Sequence, residues 1–163
     1  MGKILVIGAG GQLGTELTKA LAEKYGNDNI IATDFQDAVK VKFSYCGFET
    51  LNVMDKAALA LIVETQGVTQ IYHLAAILSA AGEKNPLHAW DLNMVGLLNV
   101  LEVAKTHKVD KVFWPSSIAV FGPNTIHEQT PQQTFKDPNT VYGISKLAGE
   151  HWCEYYYNTY GVD

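Results

Sequence analysis

Apolar residues recur along this chain in two alternating rhythms, short continuous runs and longer four-residue repeats, and the alternation predicts strands separated by helices. Lys3 to Ile7 is a short β-branched run bounded by glycine and reads as a buried strand. From Gln12 the rhythm lengthens, with Leu13, Leu17 and Leu21 recurring every four residues until Tyr25-Gly26-Asn27 stops the helix. Asn29 to Thr33 reads as a second strand, Phe35 to Phe43 has no clear period and is expected to be a loop, and Tyr45 to Val53 reads as a third strand. Asp55 is placed to cap a helix running through Glu64. A fourth strand, Gln70 to Ala76, leads into Ile77-Leu78-Ser79-Ala80-Ala81-Gly82. Helical spacing returns at Pro86, a good first-turn residue, and continues to about His107. Lys111 to Trp114 is a fifth strand, and a loop from Gly122 to Asn139 precedes a last helix with a strongly aromatic tail, Trp152 and Tyr155-Tyr156-Tyr157.

Five strands separated by helix-length segments specify an α/β fold, a doubly wound parallel sheet with right-handed crossovers. At 163 residues and 47% hydrophobic composition, the chain is expected to form one domain with one substantial core. A net charge of −5 and the lack of any Lys/Arg run argue against nucleic acid as a partner. No apolar run approaches the roughly 20 residues needed to span a bilayer. The N-terminus runs straight into a strand without a basic region or cleavage site, so a cytoplasmic protein is expected. Cys46 and Cys153 have no metal-ligand spacing and are expected to be reduced structural thiols.

The chemistry concentrates where strands end. Gly8, Gly10, Gly11 and Gly14 follow the first strand and open the first helix. Glycines at such a turn let the backbone approach a pyrophosphate, whose charge is met by amide N–H groups at the helix N-terminus, here those of Gln12 and Leu13. The spacing Gly8, Gly11, Gly14 is not the dinucleotide fingerprint in which the first two glycines stand two apart. Asp34 ends the second strand about 20 residues beyond Gly14, the distance at which an acidic residue meets an adenosine ribose. Its carboxylate would accept from both ribose hydroxyls and repel a 2′-phosphate, favouring NAD over NADP. On the last helix Tyr142 and Lys146 stand one turn apart on one face. A fixed positive charge near a phenol favours the phenolate, which makes Tyr142 a candidate general base.

Taken together, these motifs resemble the extended short-chain dehydrogenase/reductase family, marked by a Gly-x-x-Gly-x-x-Gly turn and a Tyr-x-x-x-Lys pair. The family's serine after the fifth strand matches Ser117, and its asparagine on the preceding helix matches Asn93. The segments Ala76-Ile77-Leu78-Ser79-Ala80, Gly82-Glu83-Lys84-Asn85-Pro86, Ala89-Trp90-Asp91-Leu92-Asn93-Met94 and Thr140-Val141-Tyr142-Gly143-Ile144-Ser145-Lys146 resemble the short-chain L-threonine 3-dehydrogenases within it. The resemblance implies a Rossmann-type NAD-binding domain over residues 1–163, truncated before the sixth strand and substrate lobe. It implies that NAD lies against Gly8, Gly11, Gln12, Leu13, Gly14, Asp34, Asn52, Val53, Leu74, Ala75, Ala76, Asn93, Tyr142 and Lys146. Ser117, Tyr142 and Lys146 would be catalytic, and Ser79, Ser117 and Tyr142 would hold the substrate, L-threonine. Asn52 stands where relatives often carry an aspartate for the adenine amino group. The resemblance also implies a homodimer through Pro86 to His107 and Val141 to Tyr160, with Leu97, Leu101 and Trp152 at the interface. A nucleotide-sugar epimerase or dehydratase, or a non-catalytic dinucleotide-binding module, remains open beside it.

Overall fold

The computed structural model describes residues 2–163. Five parallel strands form one sheet in the order β3-β2-β1-β4-β5: β1 is Lys3–Ile7, β2 Ile30–Asp34, β3 Gly47–Thr50, β4 Val68–His73 and β5 Lys111–Phe113. In register, Leu5 of β1 lies between Ile31 of β2 and Ile71 of β4. The chain runs outward from β1 to β3, then returns to the other side for β4 and β5. The strand order therefore reverses between β1 and β4, where ligands bind in open α/β sheets.

Strand alternation sorts the core into two faces. Ile4, Val6, Ile30 and Ala32 pack with Leu21 and Ala22 of α1 (Gln12–Tyr25) and with Phe43. On the opposite face, Leu5, Ile7, Ile31 and Ile71 meet Leu59 and Val63 of α2 (Lys56–Gln66), and Leu97, Val100 and Leu101 of α4 (Pro86–His107). The short α3 (Ser79–Gly82) and the long α5 (Val141–Tyr160) complete the helices, with Tyr156 of α5 in the second core. Each fully buried Leu or Ile here contributes about 1.5–3 kcal/mol of transfer free energy.

Sequence and structure differ at several boundaries. The aperiodic stretch expected to be a loop is a 3₁₀ helix, Asp37–Phe43, whose Phe43 is buried in the first core. Its period of three gives no helical or strand pattern to read. β3 covers only Gly47–Thr50 of the nine residues expected, and its exposed or half-buried positions suit the edge it occupies. β4 starts earlier and stops at His73, so Leu74, Ala75 and Ala76 lie beyond its end. Leu97 and Leu101, expected at a dimer interface, are 0% and 2% exposed and belong to this chain's own core, whereas Trp152 is 39% exposed. Asp55 caps α2 as expected, its Oδ1 accepting from the Ala58 N–H at 2.9 Å. No helix among the described residues is long and apolar enough to cross a membrane, and they hold no cluster of metal-ligating side chains.

Candidate active site

The carboxyl ends of β1, β2 and β4 enclose a cleft of about 570 Å³. Its floor is the glycine turn. Gly8 has φ +81, and a Cβ there would lie 2.7 Å from the Ala75 nitrogen, so the β1 and β4 chains approach closely only because this residue lacks one. Gly14 is required for a different contact, since a Cβ would fall 2.4 Å from the Gly8 oxygen and block α1 from packing on the turn. Gly11 is unlike both. Its φ is −70, and a Cβ would meet nothing closer than the Gly8 oxygen at 3.5 Å, so the fold itself does not demand glycine. Space kept free in front of the backbone at a cleft wall suits a ligand that comes close to it.

The amides of the turn divide into two groups. Those of Gly8 and Ala9 donate to Thr33 O and that of Gly11 to Gly8 O, while the Gly10 N–H donates to Asp34 Oδ2 at 2.9 Å. The N–H groups of Gln12, Leu13 and Gly14, in the first turn of α1, have no backbone acceptor among the described residues. Unpaired amides at a helix N-terminus are suited to meeting an anion. Asp34 is 7% exposed, and its other oxygen accepts from the Gln36 N–H at 3.1 Å. It makes no salt bridge among the described residues, and the Lys42 ammonium stands on the far side of Gly10, donating to that residue's carbonyl at 3.2 Å. The cleft therefore fits a dinucleotide with a pyrophosphate at the helix and free ribose hydroxyls at Asp34.

Of the residues expected to contact the cofactor, Gly8, Gly11, Asp34, Asn52, Val53, Leu74, Ala75 and Ala76 line this cleft. Gln12, Leu13, Gly14, Asn93, Tyr142 and Lys146 lie outside its lining. Asn52 spends one lone pair of its side-chain oxygen on the Met54 N–H at 3.0 Å. Asn93 is buried and fully engaged: Oδ1 accepts from the Ile77 N–H, and Nδ2 donates to Ile77 O and to Ser145 Oγ. It thus ties the segment after β4 to α5. Cleft residues missed from the sequence include Phe35 and Gln36, in the connection directly after β2, Val39, whose 3₁₀ period hid it, and His88 with Leu92, one turn apart on α4. That four-residue spacing was the available signal for the last two.

Further along the same edge, α5 presents Tyr142 in its first turn. Thr140 caps the helix by accepting from the Gly143 N–H at 3.0 Å, and Glu83, reaching from the segment after α3, accepts from the Val141 N–H at 2.8 Å. Gly143 lets this turn meet the 3₁₀ turn Ile118–Val120, because a Cβ there would lie 2.1 Å from the Ala119 oxygen. Ser117 begins that turn. Its Oγ accepts from the Ala119 N–H at 3.2 Å, which leaves its own O–H free to donate. The structure thus brings the Ser117 turn and the Tyr142 turn together, while half-buried Ser79 opens α3 on the neighbouring segment.

Lys146 is 3% exposed. Its ammonium donates to the Pro115 carbonyl at 2.6 Å and lies 3.8 Å from the Trp114 ring centroid and 5.7 Å from that of Tyr142. Burial pushes its pKa down to about 8, opposed in part by nearby Cys153. His73, at the end of β4, is buried with neither ring nitrogen bonded among the described residues. Burial, aided by the charge of Lys146, pushes its pKa down to about 3, so it is neutral at pH 7. A half-buried tyrosine beside a buried ammonium is an arrangement suited to proton transfer.

Comparison with known proteins agrees with this geometry. An L-threonine dehydrogenase from Cupriavidus necator, solved in its holo form, is 54% identical and superposes with a TM-score of 0.95, over 99% of this chain and 52% of that one. A structure described as a partial consensus L-threonine 3-dehydrogenase is 55% identical, with a TM-score of 0.93, over 99% and 51% respectively. Among curated proteins, an uncharacterized epimerase/dehydratase of Staphylococcus saprophyticus is 49% identical over 164 residues, covering 100% of this chain. The chain spans about half the length of the curated relatives it matches. Residues 4–163 match the model of the NAD dependent epimerase/dehydratase family. On its parallel sheet, glycine turn and Tyr/Lys pair, and on that match, the chain belongs to the NAD dependent epimerase/dehydratase family of extended short-chain dehydrogenases/reductases.

Proposed function

We propose that this chain is the cofactor-binding and proton-transferring half of an NAD-dependent dehydrogenase that oxidises the β-hydroxyl of L-threonine to 2-amino-3-oxobutyrate. The observation that carries the reading is that Tyr142, with Lys146 buried beside it, shares one sheet edge with a cleft fitted to a dinucleotide. Solved proteins described as L-threonine dehydrogenases, at more than half identity, support the choice of substrate.

In this reading the bound nicotinamide supplies the acceptor for a hydride leaving the substrate Cβ. Tyr142 takes the hydroxyl proton, so the alcohol loses one hydride and one proton and becomes the ketone. The ammonium of Lys146 stands 5.7 Å from the Tyr142 ring centroid and holds the nicotinamide ribose. Ser117 donates its free O–H to the reacting oxygen, and Ser79 receives the amino acid's polar end. Asp34 accepts from the adenosine ribose hydroxyls and repels a 2′-phosphate. Two copies pair through α4 and α5, whose exposed Val95, Ile144, Trp152 and Tyr155 remain apolar surface for that contact.

The test follows NADH absorbance on a full-length version, with NAD and, in turn, L-threonine, L-serine and sugar nucleotides, while the 163-residue chain by itself is expected to bind NAD with little or no turnover. Threonine-dependent reduction is expected, with little response to serine or sugars. The curated relatives, described as epimerase/dehydratases, favour one second reading. Conversion of a sugar nucleotide without net NADH formation, and no response to threonine, would replace the first reading by it.

A further inference from the structure

The feature that the site's chemistry leaves unexplained is the surroundings of the Lys146 ammonium. A buried cation normally pairs with a carboxylate. Lys146 instead has one carbonyl, that of Pro115, and the face of an indole, Trp114. That ring is itself held by the fold. It lies against α5 at Gly149, where a Cβ would sit 2.2 Å from the Trp114 ring, so the helix carrying the dyad has a glycine one turn after Lys146 to admit it. Trp114 follows β5 directly, fixing the ring to the sheet.

We propose that Trp114 is a positioning residue for the dyad, its indole face seating the Lys146 ammonium one turn from Tyr142, and that Gly149 is glycine in order to seat that ring. An ammonium over an indole is held without a counter-carboxylate, so the Tyr142 site gains a positive charge with no negative partner to cancel it. The inference rests on the reading of Lys146 as the partner of Tyr142 in proton transfer. Its test uses neither substrate nor turnover, so failure of the threonine assignment would leave the result standing.

The other titratable groups beside the ammonium are His73 from β4 and Tyr142 and Cys153 from α5. Burial holds His73 at about 3 and Cys153 up at about 11, well away from the value of about 8 for Lys146. In the 163-residue chain with Trp90→Phe and Trp152→Phe, Trp114 is the one tryptophan left, and its emission is followed against pH. A transition centred near 8 is expected, absent when Lys146→Met is added. The Lys146 midpoint is then read from its side-chain ¹³C NMR shift in Trp114→Leu, Trp114→Phe and Gly149→Ala. Leu should lower it by about one unit, because the charged form loses its aromatic seat, while Phe restores part of the value. Gly149→Ala, which displaces the ring without removing it, should lower it too. The proposal is overturned if Trp114 emission is the same with and without Lys146, or if folded Trp114→Leu leaves the Lys146 midpoint unmoved or raises it, as relief of burial alone would do.

Discussion

The two ends of the active edge are built by different means. The glycine turn is built from backbone: three amides of α1 with no backbone acceptor among the described residues, close backbone approaches that the missing Cβ atoms of Gly8 and Gly14 allow, and open space before Gly11. At the dyad it uses side chains, a phenol and an ammonium that are positioned by other side chains, among them Trp114, Glu83 and Asn93. A backbone cradle fails when something is added to it, and a side-chain site fails when something is removed.

The largest expected effect lies at the dyad. Tyr142→Phe keeps the ring and its packing but deletes the proton acceptor. Hydride transfer in the active protein should fall by about 10²–10⁴-fold, while NAD affinity changes little. Single-turnover NADH formation beside calorimetry separates the two, and near-normal transfer would remove Tyr142 from the mechanism. At the cradle the contrast runs through the glycines. Gly14→Ala should cost several kcal/mol of folding stability, of order 3, because the added methyl meets backbone that cannot move aside. Gly11→Ala should leave the urea midpoint almost unchanged and weaken NAD binding, since only the ligand fills that space. Equal destabilisation by both would mean that the space before Gly11 is not a ligand's.

These contrasts also explain what the sequence made legible. Strand alternation and the turn glycines are local, so the sheet, the cleft floor and Asp34 could all be read from spacing. The 3₁₀ helix Asp37–Phe43 could not, because its period matches neither template, and Val39 was lost with it. Nor could the supports of the dyad: Glu83 reaches Val141 across 58 residues and Asn93 reaches Ser145 across 52, with no spacing rule to join them. Leu97 and Leu101 show the same limit from the other side. Apolar residues on a long helix do not reveal whether they face their own sheet or a second copy.

A smaller effect concerns pH. His73 has a folded pKa of about 3 against an ordinary value of 6.5, so the folded state resists a proton that the unfolded chain accepts. Its contribution to stability is complete above the unfolded value and is lost as pH falls below it, by about 1.4 kcal/mol per unit until the folded value is approached. Urea unfolding from neutral to mildly acid pH should show a steep loss that His73→Leu flattens. An identical slope in both proteins would mean that other groups control acid unfolding. The smallest effect is expected from Glu83→Ala, which should lower the melting temperature by a few degrees through the lost α5 cap, with Glu83→Gln retaining most of it. Unchanged melting would make that hydrogen bond incidental.

The central claim, that this edge is an NAD site, is tested most directly by calorimetric titration of the chain with NAD and with NADP. The account predicts saturable binding of NAD and affinity for NADP weaker by about tenfold or more, because the 2′-phosphate meets the Asp34 carboxylate. NADP bound as tightly as NAD, or neither bound at all, would contradict it.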